Sequence, residues 1–343
     1  MYKKILITGA AGWLGKGLIN ILLNGLPEVK GLEKISFSVP IKVMVLSDEV
    51  SEFQKLYPNV ETFVGNLNNC DDCLSFVKNE EGACIFHLAG IIHPKLKTSE
   101  FYETNVNGAK NLTAAAIDEK IKRIVVMSSN SPIGCNPNNK HRFDETSPYN
   151  PYMGYGKSKM MLENHIREIQ KDIETVIIRA PWFYGPYQPP RQLEFFEMIK
   201  NGRGPIVGDG NNVRSMVYID NLAQGLILSA LKHNAVNQTY WIADENPYSM
   251  NKILNTIERL LSDEFNQTCK YGRLKLPNII SELAFFVDKI IQMTGFYHQK
   301  IHVLSEMNKN IACSIQKAKD ELGYKPTVDL EEGMRISLKD FYK

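Results

Sequence analysis

Over the first 180 residues, short apolar runs alternate with stretches whose apolar positions recur every three or four residues. The runs fall at residues 5–7, 42–46, 62–65, 83–90, 124–129 and 175–179 and read as strands. Stretches with helical spacing lie between them, the clearest at 16–23, 105–117 and 157–170. Strand and helix in strict alternation predict an α/β fold, a doubly wound parallel sheet covered on both faces. Ligands of such sheets sit at the carboxyl ends of the strands. Past residue 180 the pattern loosens. A late apolar segment, 276–293, carries Glu282, Asp288 and Lys289 and so reads as an amphipathic helix rather than a bilayer span. Its expected use is packing on the body of the protein; a membrane surface or an apolar substrate are the other uses open to it.

Glycines stand at 9, 12 and 15, between the first strand and the first helix. Strand, glycine turn and helix point a helix N-terminus at a pyrophosphate. The pattern therefore predicts a dinucleotide site. At the end of the second strand, Leu46-Ser47-Asp48-Glu49 puts Ser47 where a ribose contact is expected. No Arg or Lys stands in these four positions to welcome a 2′-phosphate, which leans the cofactor to NAD over NADP.

Tyr155 and Lys159 are four apart and share one helix face. A free phenol, with a pKa of about 10, is a poor base near neutrality. An adjacent ammonium stabilises the phenolate, which suits proton exchange with an alcohol or ketone. Tyr149 and Tyr152 are followed four residues later by Met153 and Gly156, so Tyr155 alone of the three has this partner.

The 343 residues suffice for one large or two joined domains. A net charge of +2 makes no case for nucleic acid or a charged membrane as partner. The six scattered cysteines form no disulfide framework and fit a reducing compartment. Cys70-Asp-Asp-Cys73 has metal-ligand spacing but no second pair, and is read as the start of a helix; no metal is expected. The strand that begins almost at Met1 leaves no room for a signal peptide, so a cytoplasmic location is expected.

Thr8-Gly-x-x-Gly-x-x-Gly15, His87-Leu88-Ala89-Gly90, Asn105-Val106-x-Gly108, the Ser128-Ser129 strand end and Tyr155-x-x-x-Lys159 together resemble the extended short-chain dehydrogenase/reductase family. That family includes nucleotide-sugar epimerases and dehydratases and the 3β-hydroxysteroid dehydrogenase type. The similarity continues through Arg179-Ala180-Pro181, Tyr184-Gly185-Pro186, Gly208-Asp209-Gly210, the stretch 214–223 and Lys317 to Pro326. It implies a Rossmann-type domain over 1–180 and a smaller, mainly substrate-binding α/β region over 181–343, with 214–242 returning to the sheet. It implies that Gly9, Gly12, Trp13 and Leu14 surround the pyrophosphate, and that Asn66 and Leu67 stand at the adenine. Leu88, Ala89 and Gly90 would line the adenosine ribose side, with Pro181 and Phe183 near the nicotinamide. Lys159 would hold the nicotinamide ribose as well as tune Tyr155. Asn66 replaces a usual Asp, and its amide oxygen still accepts a hydrogen bond.

The resemblance also places a Ser or Thr against the reacting oxygen. Aligning Ile133-Gly134 with the family's Tyr-Gly selects Ser129; a shift of one selects Asn130, with Ser131 nearby. The dehydratases carry Asp-Glu where this chain has Asn130 and Ser131, which disfavours elimination of water. Arg214 matches the Arg that grips a substrate diphosphate, and its planar fork suits that task. Trp182 replaces the epimerases' Asn and, with Phe183 and Tyr184, would suit a uracil or an apolar substrate. Three functions follow: a nucleotide-sugar epimerase or 4-ketoreductase, a hydroxysteroid or keto-lipid dehydrogenase, and a cofactor-binding regulator without catalysis. The complete Tyr155-Lys159 pair speaks against the last. Helices beginning near 105 and 157 resemble the pair that builds a homodimer in this family.

Overall fold

The computed structural model describes residues 2–33, 39–270 and 272–342. Its first strand, β1 (Ile5–Thr8), is buried throughout. Ile5 and Ile7 enter one core cluster and Leu6 the other, which is why the run is continuously apolar. Gly9 then turns the chain with φ +74° into α1 (Trp13–Asn24). A Cβ on Gly9 would stand 2.6 Å from the Ala89 amide nitrogen, and one on Gly15 would stand 2.3 Å from the Gly9 carbonyl oxygen. Only hydrogen at these two positions lets the helix close on the strand ends.

The alternation continues through β2 (Ile41–Val45), α2 (Val50–Leu56), β3 (Glu61–Val64), α3 (Cys70–Val77) and β4 (Cys84–His87). A short α4 (Ser99–Tyr102) runs through a π-helical stretch, Glu103–Gly108, into α5 (Ala109–Asp118), where the pattern had predicted one uniform helix from 105. Next come β5 (Arg123–Met127), α6 (Met153–Glu168) and β6 (Glu174–Arg179). α6 starts four residues before the expected 157, so Tyr155 lies inside it. Cys73 is buried in α3, with its thiol donating to the Leu67 carbonyl, and no cluster of three metal-ligating side chains exists among the described residues.

Beyond β6 the elements are shorter: β7 (Trp182–Tyr184), α7 (Pro190–Lys200), β8 (Pro205–Val207), β9 (Val213–Arg214), β10 (Met216–Tyr218), α8 (Ile219–Leu231), β11 (Gln238–Trp241) and β12 (Tyr248–Ser249). Then follow α9 (Met250–Asp263), β13 (Leu274–Leu276), α10 (Asn278–Met293), α11 (Gln299–Glu306) and α12 (Leu330–Phe341). The main sheet has seven parallel strands in the order β11-β6-β5-β4-β1-β2-β3. α8 packs on α1, and β11 pairs with β6, so residues 219–241 return to the sheet after the chain has left it. The strand order reverses between β1 and β4, and a crevice opens at their carboxyl ends. The remaining strands form two-stranded pieces, β10-β7, β12-β9 and β13-β8, above that edge.

α9 and α10 are both amphipathic, but they face opposite ways. α9 buries Ile253, Leu254, Ile257, Leu260 and Leu261. α10 buries Ser281, Ala284 and Asp288 and leaves most of its apolar side chains exposed. The expectation that its apolar stripe packs on the body is corrected here. Hydrogen bonds from its polar face, described below, fix it the other way round.

Candidate active site

The crevice between β1 and β4 has the makings of an anion cradle. The N-terminus of α1 has no side-chain cap and no acidic residue in its first turn, so its N–H groups and its dipole are free for a phosphate. Gly12 is exposed there, and a Cβ on it would meet only the Gly9 carbonyl, at 3.2 Å. Trp13 donates from its indole to the Pro186 carbonyl at 2.6 Å and stacks obliquely on Phe183, ring centres 4.8 Å apart. Leu14 is buried under this edge. Leu88 and Ala89 are half-buried and Gly90 exposed at the exit of β4. Pro181 is buried beside Phe183.

The adenine side is looser. Ser47 is exposed after β2, and the nearby Glu49 carboxylate accepts the Leu46 N–H at 2.9 Å. That carboxylate would repel a 2′-phosphate, so the cradle fits NAD. Asn66 is exposed at the end of β3, with its side-chain oxygen already accepting from Asn68 N–H at 3.0 Å. Leu67 does not line the crevice with its side chain, which is buried in the second core cluster; its carbonyl accepts from Asn111.

Tyr155, Ser129 and Lys159 meet where β5 ends against α6. The Ser129 hydroxyl lies close enough to Tyr155 to favour its phenolate. Ser129 Oγ also lies 3.3 Å from Ser131 Oγ and 3.4 Å from Asn130 Oδ1. The Lys159 ammonium donates to the Met127 carbonyl at 3.0 Å. Burial holds Lys159 down at about 8, partly offset by Glu163, and raises the Tyr155 phenol to about 12. The depression of Tyr155 by its lysine, expected from the i, i+4 spacing, is therefore absent. Desolvation of the phenolate outweighs an ammonium that is turned to the strand end.

Two residues that local spacing did not mark as site residues brace the neighbours of this group. Asn105, fully buried in the π-helical stretch, accepts the Ile91 N–H at 2.7 Å and donates to Ser158 at 3.1 Å. A Cβ on Gly90 would be 3.1 Å from both Asn105 Oδ1 and Lys159 Nζ, so only a glycine fits there without displacing one of them. The sequence signal was the Asn105-Val106-x-Gly108 motif itself. Glu163 follows Lys159 by one more turn. Its buried carboxylate accepts from Ser128 Oγ at 2.6 Å, Tyr149 OH at 2.7 Å and Arg179 Nη2 at 2.8 Å. These bonds pull it below the usual carboxylate range although burial alone would raise it.

Above Tyr155 lies the hairpin of α10 and α11. Gly154 N–H donates to Gln292 Oε1 at 2.9 Å, Tyr152 OH meets Ser305 Oγ at 2.8 Å, and His93 Nδ1 meets Tyr297 OH at 2.5 Å. Met153, with φ +52°, is held in the left-handed region between these contacts. Arg214 reaches the same side from β9. One of its Nη groups donates to the Glu306 carbonyl, and its buried Nε has no partner among the described residues. A buried guanidinium nitrogen without a partner is a donor available to an acceptor. Trp182 packs against Phe195 of α7, ring centres 5.8 Å apart, and forms an apolar wall.

Fold and site together define a nucleotide-dependent oxidoreductase architecture, and the sequence comparisons agree. Residues 5–243 match the family model described as NAD dependent epimerase/dehydratase family, and the chain belongs to that family. An uncharacterized protein, y4nL, of Sinorhizobium fredii is 47% identical over 97% of this chain and 94% of its own length. The sterol-4-alpha-carboxylate 3-dehydrogenase (decarboxylating) of Candida albicans is 26% identical over 98% of this chain and 97% of its own. The N-acetyl-alpha-D-glucosaminyl-diphospho-ditrans,octacis-undecaprenol 4-epimerase of Escherichia coli O157:H7 is 32% identical over 86% and 82%.

Proposed function

We propose that the protein is an NAD-dependent epimerase or 4-ketoreductase of a sugar carried on a diphosphate. The observation that carries the chemistry is the Ser129 hydroxyl close to that of Tyr155, with Lys159 one helical turn on and its ammonium held at the end of the neighbouring strand. The observation that favours a diphosphate carrier is the buried, unpartnered Nε of Arg214. A nucleoside diphosphate and a polyprenyl diphosphate offer this arginine the same anion. The 4-epimerase among the relatives, whose name specifies an undecaprenol-linked substrate, supports the second as well as the first.

NAD bound in the cradle supplies the hydride acceptor and, once reduced, the hydride donor. The Gly9 turn and the α1 N-terminus would hold its pyrophosphate, near Trp13 and Phe183. Ser129 binds the substrate oxygen and keeps it beside Tyr155. Tyr155 takes the hydroxyl proton as the carbon is oxidised, and returns it to the same oxygen on reduction. With its phenol held by burial at about 12, Tyr155 carries a proton it can give to a carbonyl oxygen, and taking a proton in the oxidative direction requires the phenolate to be stabilised first. Lys159, at about 8, is still cationic at neutral pH and lowers the cost of the phenolate once it turns toward it. Epimerisation requires the keto-sugar to present its other face before reduction. Arg214 would keep the carrier anchored while the sugar turns.

A hydroxysteroid or keto-lipid substrate is the second reading, favoured by the Trp182–Phe195 wall and by the sterol dehydrogenase among the relatives. Two variants test the proposal against it. Tyr155→Phe should lower kcat by about 10²–10⁴-fold, while an NAD-induced rise in the thermal midpoint persists. Arg214→Ala should raise KM for a diphospho-sugar by roughly 10–150-fold, the loss of a charge-assisted hydrogen bond. UDP-N-acetylglucosamine and undecaprenyl-diphospho-N-acetylglucosamine, assayed in parallel, separate the two carriers. Turnover of a 3β-hydroxysteroid, unaffected by Arg214→Ala, would replace the diphosphate reading.

A further inference from the structure

α10 is built inside out. Ile279, Leu283, Phe286, Val287, Ile290 and Met293 recur along one face, and all are exposed, Phe286 by 62% and Met293 by 78%. The opposite face does the holding. Ser281 Oγ donates to the Leu304 carbonyl at 2.8 Å, Asp288 meets His302 Nδ1 at 2.7 Å, and Gln292 accepts from Gly154. These buried polar contacts prevent the helix from rolling its stripe inward, because each would then lose its partner.

The apolar face extends past the end of the helix. Tyr297 N–H donates to the Leu96 carbonyl at 2.8 Å, and Thr98 N–H to the Gly295 carbonyl at 3.0 Å. This lays the Lys95-Leu96-Lys97 loop alongside Phe296, and Leu96 and Phe296 are exposed by 55% and 48%. On α11, Val303 is exposed on the same face as Lys300, one turn earlier. The rim is basic. Lys95, Lys97, Lys289 and Lys300 are exposed with no salt bridge within 4 Å among the described residues, and the one carboxylate of the loop, Glu100, is taken up by the N–H groups of Lys95, Leu96 and Lys97. Glu282, on the edge of the stripe, is neutralised by Lys309 at 2.5 Å. The chain's small overall charge thus conceals a local cationic border around an apolar strip.

We infer that the α10–α11 hairpin docks on the surface of an anionic lipid bilayer, with the Phe286 stripe in the acyl boundary and the lysines at the headgroups. An amphipathic helix lies in the interface in this way when its apolar face is unpartnered and its border is basic. No helix of the described residues is long and apolar enough to cross the membrane, so attachment is to the surface. The hairpin is bonded to Tyr152 and Gly154, directly before Tyr155. Docking would therefore bring the active site to the bilayer, where a diphosphate-linked sugar on a lipid carrier is held. Only this last consequence rests on the function proposed above.

The test is co-sedimentation of the full chain with vesicles of phosphatidylcholine alone or mixed with phosphatidylglycerol, without substrate. The protein should pellet with the anionic vesicles and be released by salt. Phe286→Ser should lower the partition about ten-fold or more, as expected for a phenyl ring returned to water. Lys95→Glu with Lys97→Glu should weaken binding to anionic vesicles only. Because these side chains are exposed, an unchanged thermal midpoint certifies the fold of each variant. A chain that stays in the supernatant with anionic vesicles overturns the inference, as does binding indifferent to both variants. A concentration-dependent dimer dispersed by Phe286→Ser, without vesicle binding, would assign the face to a second copy instead. Failure of NAD to raise the thermal midpoint would count against the functional reading and leave the vesicle result standing.

Discussion

Glu163→Gln probes the layer beneath the catalytic helix. The Glu163 side chain has no exposure, and that of Arg179 has 2%. Glutamine keeps the shape and one acceptor oxygen but removes the charge and turns an N–H₂ toward groups that are themselves donors. Arg179 is left as a buried cation without its counter-charge, and Ser128 and Tyr149 lose a strong acceptor. Breaking one side of such a pair costs about 3–5 kcal/mol. For a chain of this length that is a fall in Tm of roughly 4–7 °C. Urea unfolding at pH 7 measures the loss directly. The double variant Glu163→Leu with Arg179→Met should recover most of it, since apolar replacement of both partners is close to neutral. The pH dependence follows from the depressed carboxyl. Its stabilisation is fully present above the ordinary glutamate value of about 4.3 and is lost as pH falls through the folded value. The gap between wild type and Glu163→Gln should therefore close in acid. A loss at pH 7 below about 1 kcal/mol, or a double variant no better than the single one, would refute the reasoning.

Gly9→Ala should destabilise the protein by more than the roughly 1–2 kcal/mol of a left-handed alanine, because its Cβ also meets Ala89 at 2.6 Å, and it should abolish the NAD-induced thermal shift. Gly31→Ala, with φ +87° but nothing within 4 Å, should cost only the backbone strain and keep the shift; equal losses at the two sites would count against the close approach. Burial alone would lower His302, but Asp288 holds its imidazolium above the ordinary value. The resulting stability is fully present below about 6.5 and is lost as pH rises through the folded value. Urea midpoints should therefore fall for wild type across that rise and stay flatter for Asp288→Asn; parallel curves would exclude the pair as their source.

Much of the site was legible because it is made of local patterns. The glycine turn at 9–15 works through backbone geometry, and the spacing of Tyr155 and Lys159 needs only a helix to put both on one face. Other parts depend on what surrounds a residue. Leu67 sits one position from an exposed Asn66 yet points into the core, because the chain turns there, with Asn69 N–H donating to the Asn66 carbonyl at 2.9 Å. The acidity of Tyr155 is set by burial and by where the Lys159 ammonium turns, and neither follows from a four-residue spacing.

The alternating pattern and the glycine turn sufficed for a parallel α/β sheet with a nucleotide crevice, because period and backbone freedom are properties of neighbouring residues. The family resemblance offered Ser129 with Asn130 and Ser131 as alternatives, and only the folded chain puts the Ser129 hydroxyl close enough to Tyr155 to favour its phenolate. The linking of Glu163 with Ser128 and Arg179 required three elements to pack together. The outward turn of α10 required the tertiary structure most of all. Its sequence shows an apolar stripe, and a stripe has no direction until something is packed against the other side. Ser281, Asp288 and Gln292 found their partners on α11 and α6, and those buried hydrogen bonds decided which face water sees.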